Sequence, residues 1–273
     1  MIVDAQHHVW RIGRGDYGWI RPGSPLHRDY TLADLRPLLG DIDATVLVQA
    51  APTEAETGYL LNVARNSGGL VRGVVGWEDL ALRDAATRIH AMATDALLKG
   101  LRPMLQDIAD TAWILQPALR PALGAMESAR LCFDALIQPR HLPAILGLCG
   151  RHPDLRVVVD HGAKPAIATG GFAPWADDIA RLARETPAMC KLSGLVTEAG
   201  PHWKIDDLRR YVDHLLDCFG PRRLMWGSDW PVVELAGGYA SWRAATLSLL
   251  RELDADSQAA ILGGTAVTFY GLA

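Results

Sequence analysis

Eight short apolar runs, near residues 2–8, 45–50, 71–77, 97–102, 131–137, 155–160, 188–193 and 223–227, are spaced along the whole chain. Each is continuously apolar rather than alternating, the pattern of a parallel strand covered on both faces. Between the runs the sequence turns to helical period. Thr53-Glu54-Ala55-Glu56 reads as a capping box that opens a helix through Tyr59, Leu60 and Val63. The stretch 205–219 sets Ile205, Leu208, Tyr211, Val212, Leu215, Leu216 and Phe219 on one face. Gly220-Pro221 ends it, because glycine accepts a left-handed cap and proline cannot continue a helix. Strands alternating with helices in this number predict an α/β fold, a (β/α)8 TIM barrel made by residues 1–273 as one domain. An open doubly wound sheet is the rival, but no G-x-G-x-x-G turn follows the first strand. Residues 13–30, rich in Gly, Pro and Arg, form a long first loop, and the 254–270 tail reads as a last helix closing the barrel floor.

Length and charge narrow the function. A chain of 273 residues suits one barrel, which needs about 250. The net charge of −4 has no basic block behind it, so no nucleic-acid partner is expected. No segment approaches the roughly 18 uncharged apolar residues of a membrane span. Cys132, Cys149, Cys190 and Cys218 are widely spaced and contain no C-x-x-C pair, as expected of free thiols in a reducing cytoplasm. The opening Met1-Ile2-Val3-Asp4 lacks the basic region of a secretory signal. A monomer and a homodimer fit the sequence equally.

In such a barrel the chemistry lies at the C-terminal ends of the strands. Alternation turns Gln6, His8 and Trp10 inward on the first strand and sends His7 into the wall. Later exits offer Gln49, Glu78, Arg102, Asp134 with Gln138, His161 with Lys164, Lys191 with Ser193, and Asp229. Burying so many polar groups costs free energy unless each has a partner, which points to a polar ligand. Each has a plainer reading as well. Asp229 fits a helix cap after Trp230-Pro231, His161 a core histidine bonded to a carbonyl, and Arg102 an ion-pair partner of Glu78 or Asp107. Lys191, inside an apolar strand, requires a carboxylate or a ligand.

Taken together, 4–10, 74–80, Asp160-His161-Gly162-Ala163-Lys164-Pro165, 190–198 and Gly227-Ser228-Asp229-Trp230-Pro231 resemble the amidohydrolase superfamily, in the lactonase-like branch. The resemblance runs the length of the chain with the motifs in order. It implies a metallo-dependent-hydrolase-like barrel that opens sugar lactones, aldono-1,4- or 1,5-lactones of the L-fucono, L-rhamnono or galactono type, in carbohydrate metabolism. Related members isomerise lactones, decarboxylate aromatic acids or act as metal-dependent amidohydrolases, and these stay as alternatives beside a non-catalytic binder of sugar acids. The family's first strand usually reads Asp-x-His-x-His, whereas this one reads Asp4-Ala5-Gln6-His7-His8, with Gln6 in place of a histidine ligand. The expected cofactor is therefore none, or one divalent metal, zinc, held by His8, His161 and Asp229. The resemblance further implies Asp229 as general base toward water, with His8 and His161 at the carbonyl oxygen and Gln6 or Arg102 beside them. Gln49, Glu78, Asp134, Lys191 and Ser193 would then meet sugar hydroxyls, and Trp10, Trp77 and Trp230 would offer apolar faces.

Overall fold

The computed structural model describes residues 1–272. Its eight strands are β1 (Val3–His7), β2 (Ala44–Val48), β3 (Val71–Gly76), β4 (Leu98–Leu101), β5 (Cys132–Ala135), β6 (Val157–Val159), β7 (Met189–Leu192) and β8 (Leu224–Trp226). They pair in parallel and in chain order, one for each apolar run. The barrel nearly closes. Beyond the last strand, Asp229 N–H donates to Gln6 O at 2.8 Å and His8 N–H donates to Trp230 O at 2.7 Å. Asp4 holds the same seam: its Oδ1 accepts from Ser228 N–H at 2.8 Å and from Gln6 N–H at 3.2 Å. The two strand ends that carry the site are thus stitched to each other.

The connecting helices are α1 (Glu54–Arg65), α2 (Ala85–Met92), α3 (Arg120–Ser128), α4 (Leu142–Arg151), α5 (Ala173–Glu185), α6 (Ile205–Phe219) and α7 (Gly238–Leu249). Helix α6 has the expected bounds and buries Leu208, Tyr211, Val212, Leu215 and Phe219. Thr53 caps α1, its Oγ1 accepting from Glu56 N–H at 3.1 Å. The second half of the expected capping box does not form. The Glu56 carboxylate instead accepts from Ala50 N–H at 3.0 Å and Ala51 N–H at 2.7 Å, satisfying two donors at the exit of β2.

Alternate positions explain the barrel interior. Val3, Ala5, Ala44, Val46, Val48, Val75, Cys132, Val158 and Met225 pack there with Phe269, Tyr270 and Leu272 of the tail. The 254–270 tail closes the floor as expected, but as more than one helix: Ala255–Ala259 is followed by a π-helical Ala260–Gly264, broken at Gly263, and by α8 (Thr265–Tyr270), which enters the barrel. At the mouth, residue Trp10 pairs with Tyr30 through Trp10 N–H to Tyr30 O, 2.8 Å, and Tyr30 N–H to Trp10 O, 2.9 Å. The 13–30 loop between them is anchored by Trp19 Nε1–H donating to Ala50 O at 2.8 Å. No helix among the described residues is long and apolar enough to cross a membrane.

Candidate active site

Asp229 leaves β8 with φ 57° and His161 leaves β6 with φ 55°. Left-handed backbone costs an L-residue free energy, and it gathers where the surrounding structure needs a side chain aimed. The turn after β6 stays left-handed through Gly162, Ala163 and Lys164. Behind it stands Gly194, where a Cβ would lie 2.6 Å from His161 Nδ1. Glycine is required there to let the imidazole in.

Three side chains converge. His8 Nε2 lies 3.1 Å and His161 Nε2 3.7 Å from the same oxygen, Asp229 Oδ1. Their other nitrogens are engaged: His8 Nδ1–H donates to Val48 O at 2.8 Å, and His161 Nδ1 shares a hydrogen with Ser193 Oγ at 2.9 Å. Burial pushes His161 down to about 4, against the pull of Asp229 and Asp160, so its ring is neutral at pH 7. Burial acts upward on the Asp229 carboxyl, but the facing His161 and His8 outweigh it and hold it below the ordinary carboxylate value. An ionised carboxylate set beside two imidazoles at a cavity can take a proton from water.

Above this centre opens a cavity of about 720 Å³. His8, His161 and Asp229 lie on its lining, as do Glu78 and Arg102. Trp19 and Trp113 add large apolar faces, and Gln106 and Lys164 add polar ones. Glu78 keeps its carboxylate in place by accepting from Asp79 N–H at 3.0 Å and Arg88 Nε–H at 3.2 Å.

The remaining sequence candidates sit behind that surface. Lys191 Nζ donates to Gln6 Oε1 at 2.5 Å and Asp134 Oδ2 at 2.6 Å, and lies 3.0 Å from Asp160 Oδ1. Burial would depress this ammonium, but Asp134 and Asp160 outweigh it and keep it charged. Arg102 pairs with Asp160 Oδ2 at 3.1 Å and donates from Nε to Gln49 Oε1 at 2.9 Å. Its partner is therefore neither Glu78 nor Asp107. Gln6, Gln49, Asp134, Lys191 and Ser193 are fully buried and touch the cavity only through the residues they hold. Trp10 and Trp230 flank Tyr30 edge-on, with ring centroids 5.4 and 5.3 Å away. Their indoles pack below the mouth, because the strand ends at His7 and strand alternation does not reach Trp10. His7 points into the wall, with Nε2 2.9 Å from Thr45 Oγ1, because the register of β1 shifts between Asp4 and His7 and breaks the alternation that sets Val3 and Ala5 inside.

Sequence reasoning missed Asp160, which ties Arg102 to Lys191, and Tyr270, whose hydroxyl donates to Asp134 Oδ2 at 2.6 Å. Asp160 stood beside His161 in a recognised motif, and a carboxylate two positions beyond the inward-facing Val158 was the available signal. Trp19 and Gln106 carried no signal beyond lying in loops.

The donor set bears on zinc. An ammonium can only donate, so the Gln6 oxygen faces Lys191 and its NH2 faces His8 Nε2, at 3.5 Å. That NH2 has no lone pair for a metal. Among the described residues, no group of three or more His, Cys, Asp or Glu is arranged to hold a metal ion. The residues present do not fit a resident zinc.

A parallel eight-stranded barrel with a last-strand carboxylate between imidazoles from the first and sixth strands defines a barrel hydrolase. The chain belongs to the amidohydrolase family, whose model matches residues 3–272. It is 45% identical to an L-fucono-1,5-lactonase of Burkholderia ambifaria, over 98% of this chain and 94% of that one. A second L-fucono-1,5-lactonase, from Burkholderia multivorans, is 36% identical over 99% of this chain and 96% of its own. Among solved structures, an amidohydrolase from Burkholderia multivorans with bound zinc superposes with a TM-score of 0.93 at 36% identity, covering 100% of both chains.

Proposed function

We propose that this protein is a lactonase that hydrolyses sugar lactones, with a 1,5-lactone of the L-fucono type as its first substrate. The observation that carries the reading is Asp229 Oδ1 set 3.1 and 3.7 Å from two imidazole nitrogens on the lining of a cavity. Two L-fucono-1,5-lactonases matching nearly the whole chain support the same substrate class.

Lactone opening needs a nucleophilic water, a stabiliser for the tetrahedral oxyanion and a proton for the leaving ring oxygen. Asp229 takes the proton from water and returns it to the ring oxygen as the acyl C–O bond breaks. His161 meets the oxyanion with Nε2–H when Ser193 Oγ–H donates to Nδ1, the tautomer that a hydroxyl partner permits. His8 is held by Val48 O on one side and keeps Nε2 at Asp229. Gln6 orients His8, while Gln49 and Asp160 brace Arg102 at the cavity wall. Glu78 and Arg102 meet sugar hydroxyls; Asp134, Lys191 and Ser193 support the groups that do. No step passes through a metal, and the Gln6 orientation supports that choice.

Residues 1–273 act as one catalytic domain, and the site is complete within one chain, which suits a monomer and a homodimer alike. The four cysteines are free, in keeping with a reducing cytoplasm. The test is product analysis by NMR over a panel of aldono-1,4- and 1,5-lactones. Release of the aldonic acid is expected. A shifted lactone ring with no acid would make the protein an isomerase, and inert lactones would remove the substrate class.

A further inference from the structure

Lys164 has no part in the chemistry above, yet it faces the same cavity as His161 and Asp229. It ends the left-handed turn after β6, with φ 52° and ψ 63°. Its Nζ donates to Gln106 Oε1 at 2.7 Å, and Gln106 also lines the cavity. An amide oxygen orients an ammonium without neutralising it. The neighbouring cations differ, since Arg102 is paired with Asp160 and Lys191 with Asp134 and Asp160. Among the described residues, no carboxylate forms an ion pair with Lys164 within 4.0 Å. Its charge is felt across the site: it helps draw the Asp229 carboxyl down, and at Glu198 it opposes burial, which still leaves that carboxyl raised.

We propose that Lys164 is the receptor for the carboxylate that ring opening creates. This rests on the lactonase reading. Water adds its oxygen to the acyl carbon, the ring C–O bond breaks, and one proton goes to the ring oxygen. The new carboxylic acid then ionises and releases the second proton. Substrate enters neutral and product leaves as an anion, so an oriented, unpaired ammonium discriminates between them. Lys164 therefore sets affinity for the aldonate while leaving the neutral lactone little affected, and Gln106 holds its head over the acyl position.

The full-length protein tests this with L-fuconate as anionic probe and L-fucono-1,5-lactone as neutral one. Calorimetry on Lys164→Met is expected to show L-fuconate Kd raised about tenfold, with Lys164→Arg within about threefold of the parent. KM for the lactone moves less than about twofold in both. In the unaltered protein, L-fuconate affinity falls at least about threefold between roughly 20 and 500 mM salt, a measurement independent of how the variants fold. Equal shifts in Kd and KM, no shift in Kd, or salt-insensitive aldonate binding would each overturn the proposal. Failure of the parent protein to open any lactone would overturn the lactonase reading instead, whatever the binding data show.

Discussion

Lys191 and Gln6 are 185 positions apart, yet their 2.5 Å contact decides what the first strand offers the centre. With its oxygen held by an ammonium that is itself anchored on two aspartates, Gln6 turns a donor toward His8. A histidine at this position would present a lone pair instead. Gln6→His is accordingly expected to bind zinc at least about tenfold more tightly than the parent, read by competition with a chromophoric chelator. Unchanged affinity would show that Gln6 does not govern the metal. His161 supplies a second check. Its free value of 6.5 falls to about 4 in the folded protein, so between those values the unfolded chain binds a proton that the folded one does not. The contribution of this residue to stability is present above that window and is lost as pH falls through it. The acid limb of kcat/KM should follow the folded value, near 4; a limb near 6.5 would contradict the neutral, buried imidazole. Asp229, His161 and His8 were legible because each follows an apolar run. The direction of the Gln6 amide was not, since it depends on a partner that only barrel closure supplies.

Strands and helices were legible to the extent that their neighbours are local. Helix α6 was readable to the residue from its apolar stripe and Gly220-Pro221 stop, both contained in the segment itself. The capping box at Thr53 was half right, because Glu56 answers the unpaired N–H groups of Ala50 and Ala51 on another element. Trp10 fell outside the site since β1 ends at His7 and the loop bridge to Tyr30 takes over. The floor helix α8 was foreseen as an element, but its reach into the charged layer was not. Tyr270 donates to Asp134 Oδ2 at 2.6 Å, below the same carboxylate that holds Lys191. Tyr270→Phe removes that donor in a fully buried place and is expected to cost about 1–3 kcal/mol in urea unfolding. A loss below about 0.3 kcal/mol would mean that the hydroxyl is not part of the network. Because Asp134 and Lys191 stand behind Gln6, the same variant should also lower kcat modestly.

The whole molecule is a barrel with an apolar floor, a middle layer of paired charges and a reactive layer open to the cavity. Small alternating side chains and Phe269, Tyr270 and Leu272 fill the bottom. Lys191, Asp134, Asp160 and Arg102 balance two positive against two negative charges in the middle. Breaking such a layer by removing one member costs far more than the pair contributes when whole. At the top the charged groups meet the cavity, and there we propose Asp229 as the base. Acid release from L-fucono-1,5-lactone, followed with a pH indicator before and after chelation, tests this directly when the parent and Asp229→Asn are run side by side. The parent should release acid at the same rate after chelation, and Asp229→Asn should lose about a thousandfold in kcat. Near-parental turnover by Asp229→Asn, or loss of parental activity on chelation with rescue by zinc, would contradict the account.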